Sequence, residues 1–318
     1  PARKSCAWPF KLAVPYFTAP SGGIIAATLW LRRRARAVNL GKRPGRAACS
    51  LTRSSWSLPV RPWKLAEINY AEVKRSQYEV AVLPFGATEP HNLHLPYGID
   101  VFEGDLIGEK VCEEAHRRGA KVLLLPTVPY GTQTNQMKFP FSMNLYPTTL
   151  GRIIGDLVES LVRSGVQKVL LLNSHGGNDL KWVLREMYGR TPAHLFLCNW
   201  YQIFADVQDD IFEIPDDHAG EMETSLAMAY FPELIGRKSD GSLAADQGEC
   251  VPCRFEAVQR GWVSITRPWH LLTTNAGAAN PHHAAAEKAR RMMDVIVERL
   301  AGFLVELSES EIDERFPF

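Results

Sequence analysis

Three short stretches hold side chains able to bind a metal ion or move a proton. In the first, Pro84 to Asp100, residues Glu89, His91 and Asp100 lie among glycines and prolines, a composition that excludes a regular helix. An apolar run, Val80 to Leu83, leads into it. Two carboxylates and an imidazole placed after a buried strand suit Zn, Mn or Fe, whose ligands mix oxygen and nitrogen. A polar surface turn has the same composition, and this stretch alone does not separate the two readings.

The second stretch, Leu171 to Asn178, reads Leu-Leu-Asn-Ser-His-Gly-Gly-Asn. Gly176 and Gly177 there let the backbone come close to a ligand, and His175 stands where a buried strand ends, the place where ligands gather in α/β folds. A hydrogen-bonded core histidine is the bland alternative for His175. The third, Asp216 to Ser225, opens a helix and carries His218, Glu221 and Glu223. Two residues apart on a helix, Glu221 and Glu223 point to nearly opposite sides, so one of them can face a site. Acids at a helix N-terminus are also favoured by the dipole alone, which accounts for one glutamate but not for His218.

Taken together, the three stretches resemble the creatininase (creatinine amidohydrolase) family. The resemblance rests on Glu89, His91 and Asp100, on the turn Asn173 to Asn178, and on His218 to Ser225, and extends more weakly from about Pro62 to Leu307. It implies a metal-dependent amidohydrolase with two divalent ions (Zn, Mn or Fe) sharing a carboxylate and a water. Asp100 would bridge, Glu89 and His175 would complete one ion's shell, and His91 the other's. His218 would be the proton shuttle, grouped with Glu223 as catalytic. The family's Tyr and Glu after the second-motif His are Gly176 and Gly177 here, so a fifth ligand must come from elsewhere; Glu223 is expected, Glu221 second. Gly176, Gly177, Asn178 and Trp200 are expected on the substrate side, although a Trp at a strand end is more often packing than lid. Phe139-Pro140-Phe141-Ser142 replaces the family's rim motif, which puts creatinine itself in doubt and leaves cyclic amides, formamides and peptide bonds open. The competing functional class is a metal-binding scaffold without turnover. By resemblance alone, a homo-oligomer such as a hexamer is expected, acting on a small-molecule amide.

The elements that must position these residues follow from periodicity. Strands are expected at Glu79 to Leu83, Lys121 to Leu125, Lys168 to Leu172 and His194 to Trp200. Helices are expected at Glu103 to Arg118, Thr148 to Ser164, Leu180 to Tyr188 and Ala219 to Tyr230, with a last amphipathic one from His283 to Leu307. Strands alternating with helices of this length make a three-layer α/β/α sandwich around a mostly parallel sheet. Residues 236 to 282 show no period beyond a short strand around Trp262 to Ile265. His94 is placed to support the ligands from behind. His116, His194, His270, His282 and His283 are read as solvent-facing.

Charge is divided unevenly. Residues 1 to 60 hold eleven Lys or Arg and no acid, leaving the other 258 residues with 25 basic and 35 acidic side chains. An acidic body does not bind nucleic acid by bulk electrostatics. The basic segment reads as an extension without functional consequence, a targeting peptide or a membrane anchor; Leu12 to Leu31 lacks charge but is broken by Pro15, Pro20, Gly22 and Gly23. The body, 61 to 318, is expected to be a single amidohydrolase domain, cytoplasmic unless the basic segment directs it to an organelle, and not bound to a membrane. Six scattered cysteines give no disulfide framework, and Cys250-Val-Pro-Cys253 lacks the second pair of a zinc site.

Overall fold

The structure, a computed structural model, describes residues 60–214 and 218–318. The basic segment, with its apolar run and Cys6 and Cys49, lies outside the described residues, as do Asp216 and Asp217. In chain order the elements are α1 (Tyr70–Val73), β1 (Val80–Phe85), α2 (Ile99–Arg117), β2 (Val122–Leu124), α3 (Pro147–Arg163), β3 (Lys168–Asn173), α4 (Lys181–Met187), β4 (His194–Asn199), α5 (Glu221–Tyr230), α6 (Glu256–Gln259), α7 (Trp269–Leu272) and α8 (Ala286–Glu309).

The four strands form one parallel sheet in the order β2-β1-β3-β4. Every residue of β1, β2 and β3 is buried, as a parallel sheet covered on both faces requires. Alternate side chains divide between two cores. Val80, Val82, Leu170 and Leu172 pack with α2 and α8 through Ile107, Val111, Met292 and Ile296. Ala81, Leu83, Phe85 and Leu171 pack with α3 through Leu150, Ile154 and Val158. Each fully buried aliphatic side chain contributes about 1.5–3 kcal/mol, so this period-2 division holds the three layers together. The expected sandwich is present.

Differences from the expectations are local. Helix α2 begins at Ile99, so Asp100 lies in its first turn rather than in the preceding loop. Gly98 precedes that turn, and an acid there meets the positive end of the helix dipole. Residues Trp262 to Ile265 form no strand; the short helix α6 precedes them and irregular chain follows. The last helix starts at Ala286, with Met292, Met293, Ile296, Leu300 and Leu304 buried. No described helix is long and apolar enough to cross a membrane.

This topology fixes where a site can form. Phe85, Asn173 and Asn199, the last residues of β1, β3 and β4, are paired across the sheet. The chain moves outward to β2 on one side of β1 and to β3 and β4 on the other, so the strand order reverses between β1 and β3, and the crevice above such a reversal is a natural binding place. Gly86 draws α2 in at that point: a Cβ there would lie 2.7 Å from Val101 N and 2.8 Å from the Asp100 carbonyl oxygen.

Candidate metal centre

Five segments converge above that crevice. Glu89 and His91 come from the loop after β1, where the Glu89 N–H donates to the Tyr97 carbonyl at 3.0 Å and the Leu95 N–H to the His91 carbonyl at 3.3 Å. Asp100 comes from the first turn of α2 and His175 from the loop after β3, where Asn173 Nδ2 donates to the His175 carbonyl at 2.8 Å. His218 precedes α5, and Glu223 lies in that helix's first turn. All six are buried.

Their orientations are set by carbonyls outside the cluster. His91 Nδ1 lies 3.0 Å from the Glu89 carbonyl oxygen, His175 Nε2 3.1 Å from that of Thr132, and His218 Nε2 2.9 Å from that of Pro90. A carbonyl only accepts, so each of these nitrogens carries the proton, and the other nitrogen of each ring presents its lone pair inward. Inward, His91 Nε2 is 3.0 Å from Asp100 Oδ1, and His175 Nδ1 is 3.0 Å from Glu89 Oε1 and 3.2 Å from Asp100 Oδ2. His218 Nδ1 is 3.7 Å from Glu89 Oε1. The His91 and His218 rings face each other with centroids 3.9 Å apart.

Lone pairs aimed at carboxylate oxygens need a cation between them, either a proton or a metal ion. For His91, burial opposes charge but the Asp100 carboxylate outweighs it, with Glu223 and Glu89 adding to the effect, and the pKa is raised to about 10. Burial likewise opposes charge at His175, and Glu89 and Asp100 raise it well above the ordinary imidazole value. His218 goes the other way: burial first, then the charge on His91, lower it to about 4. Apart from the inward imidazole nitrogens, neither carboxylate oxygen of Glu89 nor Asp100 Oδ2 has a hydrogen-bond partner. A buried carboxylate left in that state costs several kcal/mol unless a cation completes it. Three sets of ligand atoms lie within 4.8 Å of one another: Glu89, Asp100 and His175; His91, Asp100 and Glu223; and Glu89, His91 and His218. The residues fit a divalent metal.

The two glutamates of α5 separate as their spacing requires. Glu221 Oε2 accepts the backbone N–H groups of Glu213 at 2.9 Å and Ile214 at 2.8 Å, and its other oxygen pairs with Lys288 of α8. Glu223 faces the cluster, and its Oε2 accepts the Ala219 N–H at 2.5 Å. His94 is held at Nε2, 2.7 Å from Thr224 Oγ1, and belongs to no ligand set among the described residues.

A cavity of about 410 Å3 opens onto Glu89, Asp100, His175, His218 and Glu223. Gly176, Gly177 and Trp200 line it. Asn178 does not: it accepts the Thr132 N–H at 2.9 Å and donates to the Gly86 carbonyl and Asn173 Oδ1, bracing the two loops. Gly177 is small for the sake of His175, because a Cβ there would meet His175 Nε2 at 2.3 Å and the Thr132 carbonyl oxygen at 2.5 Å. Trp200 is buried and stacks on Phe204 at 6.4 Å. The cavity also contains residues that periodicity did not find: Gln136, Arg267 and Trp269. Trp269 meets His218 edge-on, centroids 4.7 Å apart. The one local signal for it was Pro268, a residue common at helix starts, ahead of the turn α7.

Of the remaining histidines, His116, His270, His282 and His283 are exposed. His194 is half-buried against the edge of Phe316, at 4.7 Å.

Comparison with known proteins places the chain in a family. The family model described as "Creatininase: Creatinine amidohydrolase" matches residues 66–304. A creatinine amidohydrolase of Pseudomonas putida is 29% identical over 177 residues, 49% of this chain and 66% of that one. A mycofactocin precursor peptide peptidase of Mycobacterium ulcerans is 26% identical over 239 residues, 71% of this chain and 86% of that one. A solved structure from Bacteroides fragilis, provisionally assigned as a creatinine amidohydrolase, superposes with a TM-score of 0.71 at 35% identity, covering 79% of this chain and 98% of its own. Creatininases solved in a manganese form and a Zn-Zn form share the fold, with TM-scores of 0.59 and 0.62 at 21% and 22% identity over 78% of this chain and 99% and 98% of theirs. The motifs, the parallel sheet and the family model converge, and the chain belongs to the creatininase family of metal-dependent hydrolases.

Proposed function

We propose that the chain hydrolyses a C–N bond of a small or cyclic amide at a centre of two divalent ions. The observation that carries this reading is that two ligand sets, Glu89 with His175 and His91 with Glu223, share Asp100. Glu89, His91, Asp100, His175 and Glu223, rather than Glu221, would hold the ions, with Asp100 common to both sets. Zn, Mn or Fe suits this mixture of imidazole and carboxylate. The chemistry such ions would supply there is a lowered pKa for the attacking water and polarisation of the scissile carbonyl.

The remaining work falls to the chain's own side chains. His218 Nε2 is occupied by the Pro90 carbonyl, so Nδ1 is the atom that exchanges protons. It would accept the proton lost by the attacking water and deliver it to the departing nitrogen. The Trp269 ring against its edge and Trp200 across the cavity exclude bulk water.

A second reading, a peptide substrate at the same centre, is favoured by the similarity to a peptide peptidase over 71% of the chain. Metal analysis of protein purified without chelator, coupled to amine release from cyclic amides, formamides and short peptides, tests both. One ion per chain removes the bridging role of Asp100. Two ions with no turnover on any class leaves a metal-binding scaffold. Assembly into a homo-oligomer belongs to the same proposal, and sedimentation checks it.

A further inference from the structure

The cavity above the metal centre has a recognition wall that the proposed chemistry leaves unused. Arg267 lines it, its guanidinium carbon 5.4 Å from the centroid of Trp269, the ring that meets His218. Through that shared ring, Arg267 lies no more than about 10 Å from the His218 imidazole. The Trp269 N–H donates to the Asn135 carbonyl at 3.2 Å, which ties this wall to the neighbouring Gln136. Gln136 also lines the cavity and is 3% exposed, and its Oε1 has no hydrogen-bond partner.

Each side chain has a chemical complement. A guanidinium stacked on an indole presents a rigid fork that matches a carboxylate, and its five N–H donors can serve a protein acceptor and a ligand at once. A buried amide oxygen without a donor is costly and is completed by a ligand N–H. Among the described lining residues other than histidine, Arg267 is the cationic one.

We infer that the cavity takes an amide that also bears a carboxylate and a free N–H, of the N-acyl amino acid or carboxylated cyclic-amide class. Arg267 clamps the carboxylate, and Gln136 Oε1 accepts the N–H. This inference deepens the hydrolase reading and rests on it for the position of the scissile bond.

The test uses the full metal-loaded chain and matched pairs: N-formylglycine, N-acetylglycine and 5-oxoproline, each against its primary carboxamide. Affinity is measured by calorimetry and turnover by amine release or ring opening. The acid of at least one pair is expected to bind about tenfold or more tighter than its carboxamide, the scale of one charge-assisted bidentate contact. Arg267→Gln removes that preference with metal content and melting temperature unchanged, and Arg267→Lys restores part of it. Equal affinity within every pair, no binding by any acid, or a preference that survives Arg267→Gln overturns the inference. Arg267-dependent binding without turnover overturns the hydrolase reading alone, whereas hydrolysis of acids and carboxamides without preference overturns the anion clamp alone.

Discussion

Glu221 and Glu223 are two residues apart and are expected to fail in opposite ways when altered. Glu221 is fully buried, receives two backbone N–H groups and pairs with Lys288, whose side chain is 18% exposed. Breaking a buried pair costs about 3–5 kcal/mol. Here Lys288 keeps Glu213 at 2.8 Å and the His283 carbonyl at 3.0 Å, and glutamine keeps one oxygen for the backbone donors, so about 2–3 kcal/mol is expected for Glu221→Gln. Its metal content should stay at two ions per chain. Glu223→Gln relieves repulsion among clustered carboxylates, so the chelated protein should be as stable as the parent or more so. The ion held with His91 should be lost, leaving one per chain. Urea unfolding of chelated protein gives the first quantity, and elemental analysis after dialysis against zinc or manganese gives the second. Loss of metal from Glu221→Gln with full retention in Glu223→Gln would refute the assignment.

Three further outcomes are expected. His218→Asn should keep both ions while kcat falls by about 10²–10⁴, the usual contribution of a positioned acid–base group; loss of an ion would instead make His218 a ligand, in the set with Glu89 and His91. Gly177→Ala should weaken metal binding, because the added methyl would displace the His175 ring. Gly176→Ala should not, because nothing lies within 4 Å of its Cβ position; equal metal affinities would remove the packing argument. Acid should destabilise the chelated protein through His94, which burial, followed by the charges on His91 and His282, lowers to about 4. The unfolded chain takes up that proton from about pH 6.5 downward and the native one does not, so stability falls by about 1.6 kcal/mol between pH 6.5 and 5. His94→Gln should flatten this part of the urea-midpoint profile, and an unchanged slope would count against it. His91 acts on the alkaline side: its contribution is full below pH 6.5 and is lost as pH rises toward about 10.

The sheet was legible because it is buried on both faces, which writes continuous apolar runs such as Val80 to Leu83 and Val169 to Leu172 into the chain. Glu89 and His175 were legible for a related reason, since they lie six and three positions past those runs, whereas Asp100 lies 17 past Leu83 and His218 and Glu223 follow neither run. The start of α2 was hidden because Pro96 and Gly98 read as loop, and both lie just before its first turn. That the Asn178 amide braces Gly86 and Thr132 was hidden because an Asn after two glycines does not reveal it. Arg267 and Trp269 were illegible because irregular chain has no period; only the folded molecule brings Trp269 beside His218, 51 positions away.

Glu89 and Glu223 come from opposite sides of the molecule's sequence order, with β2, β3 and β4 between them. An ion pair anchored on both, and on Asp100 in the middle, would be a cross-link spanning most of the folded body. Closing a loop of that length constrains the unfolded chain strongly, so loading should act as a staple: the metal-bound chain should resist proteases that cut around α5 in the chelated form.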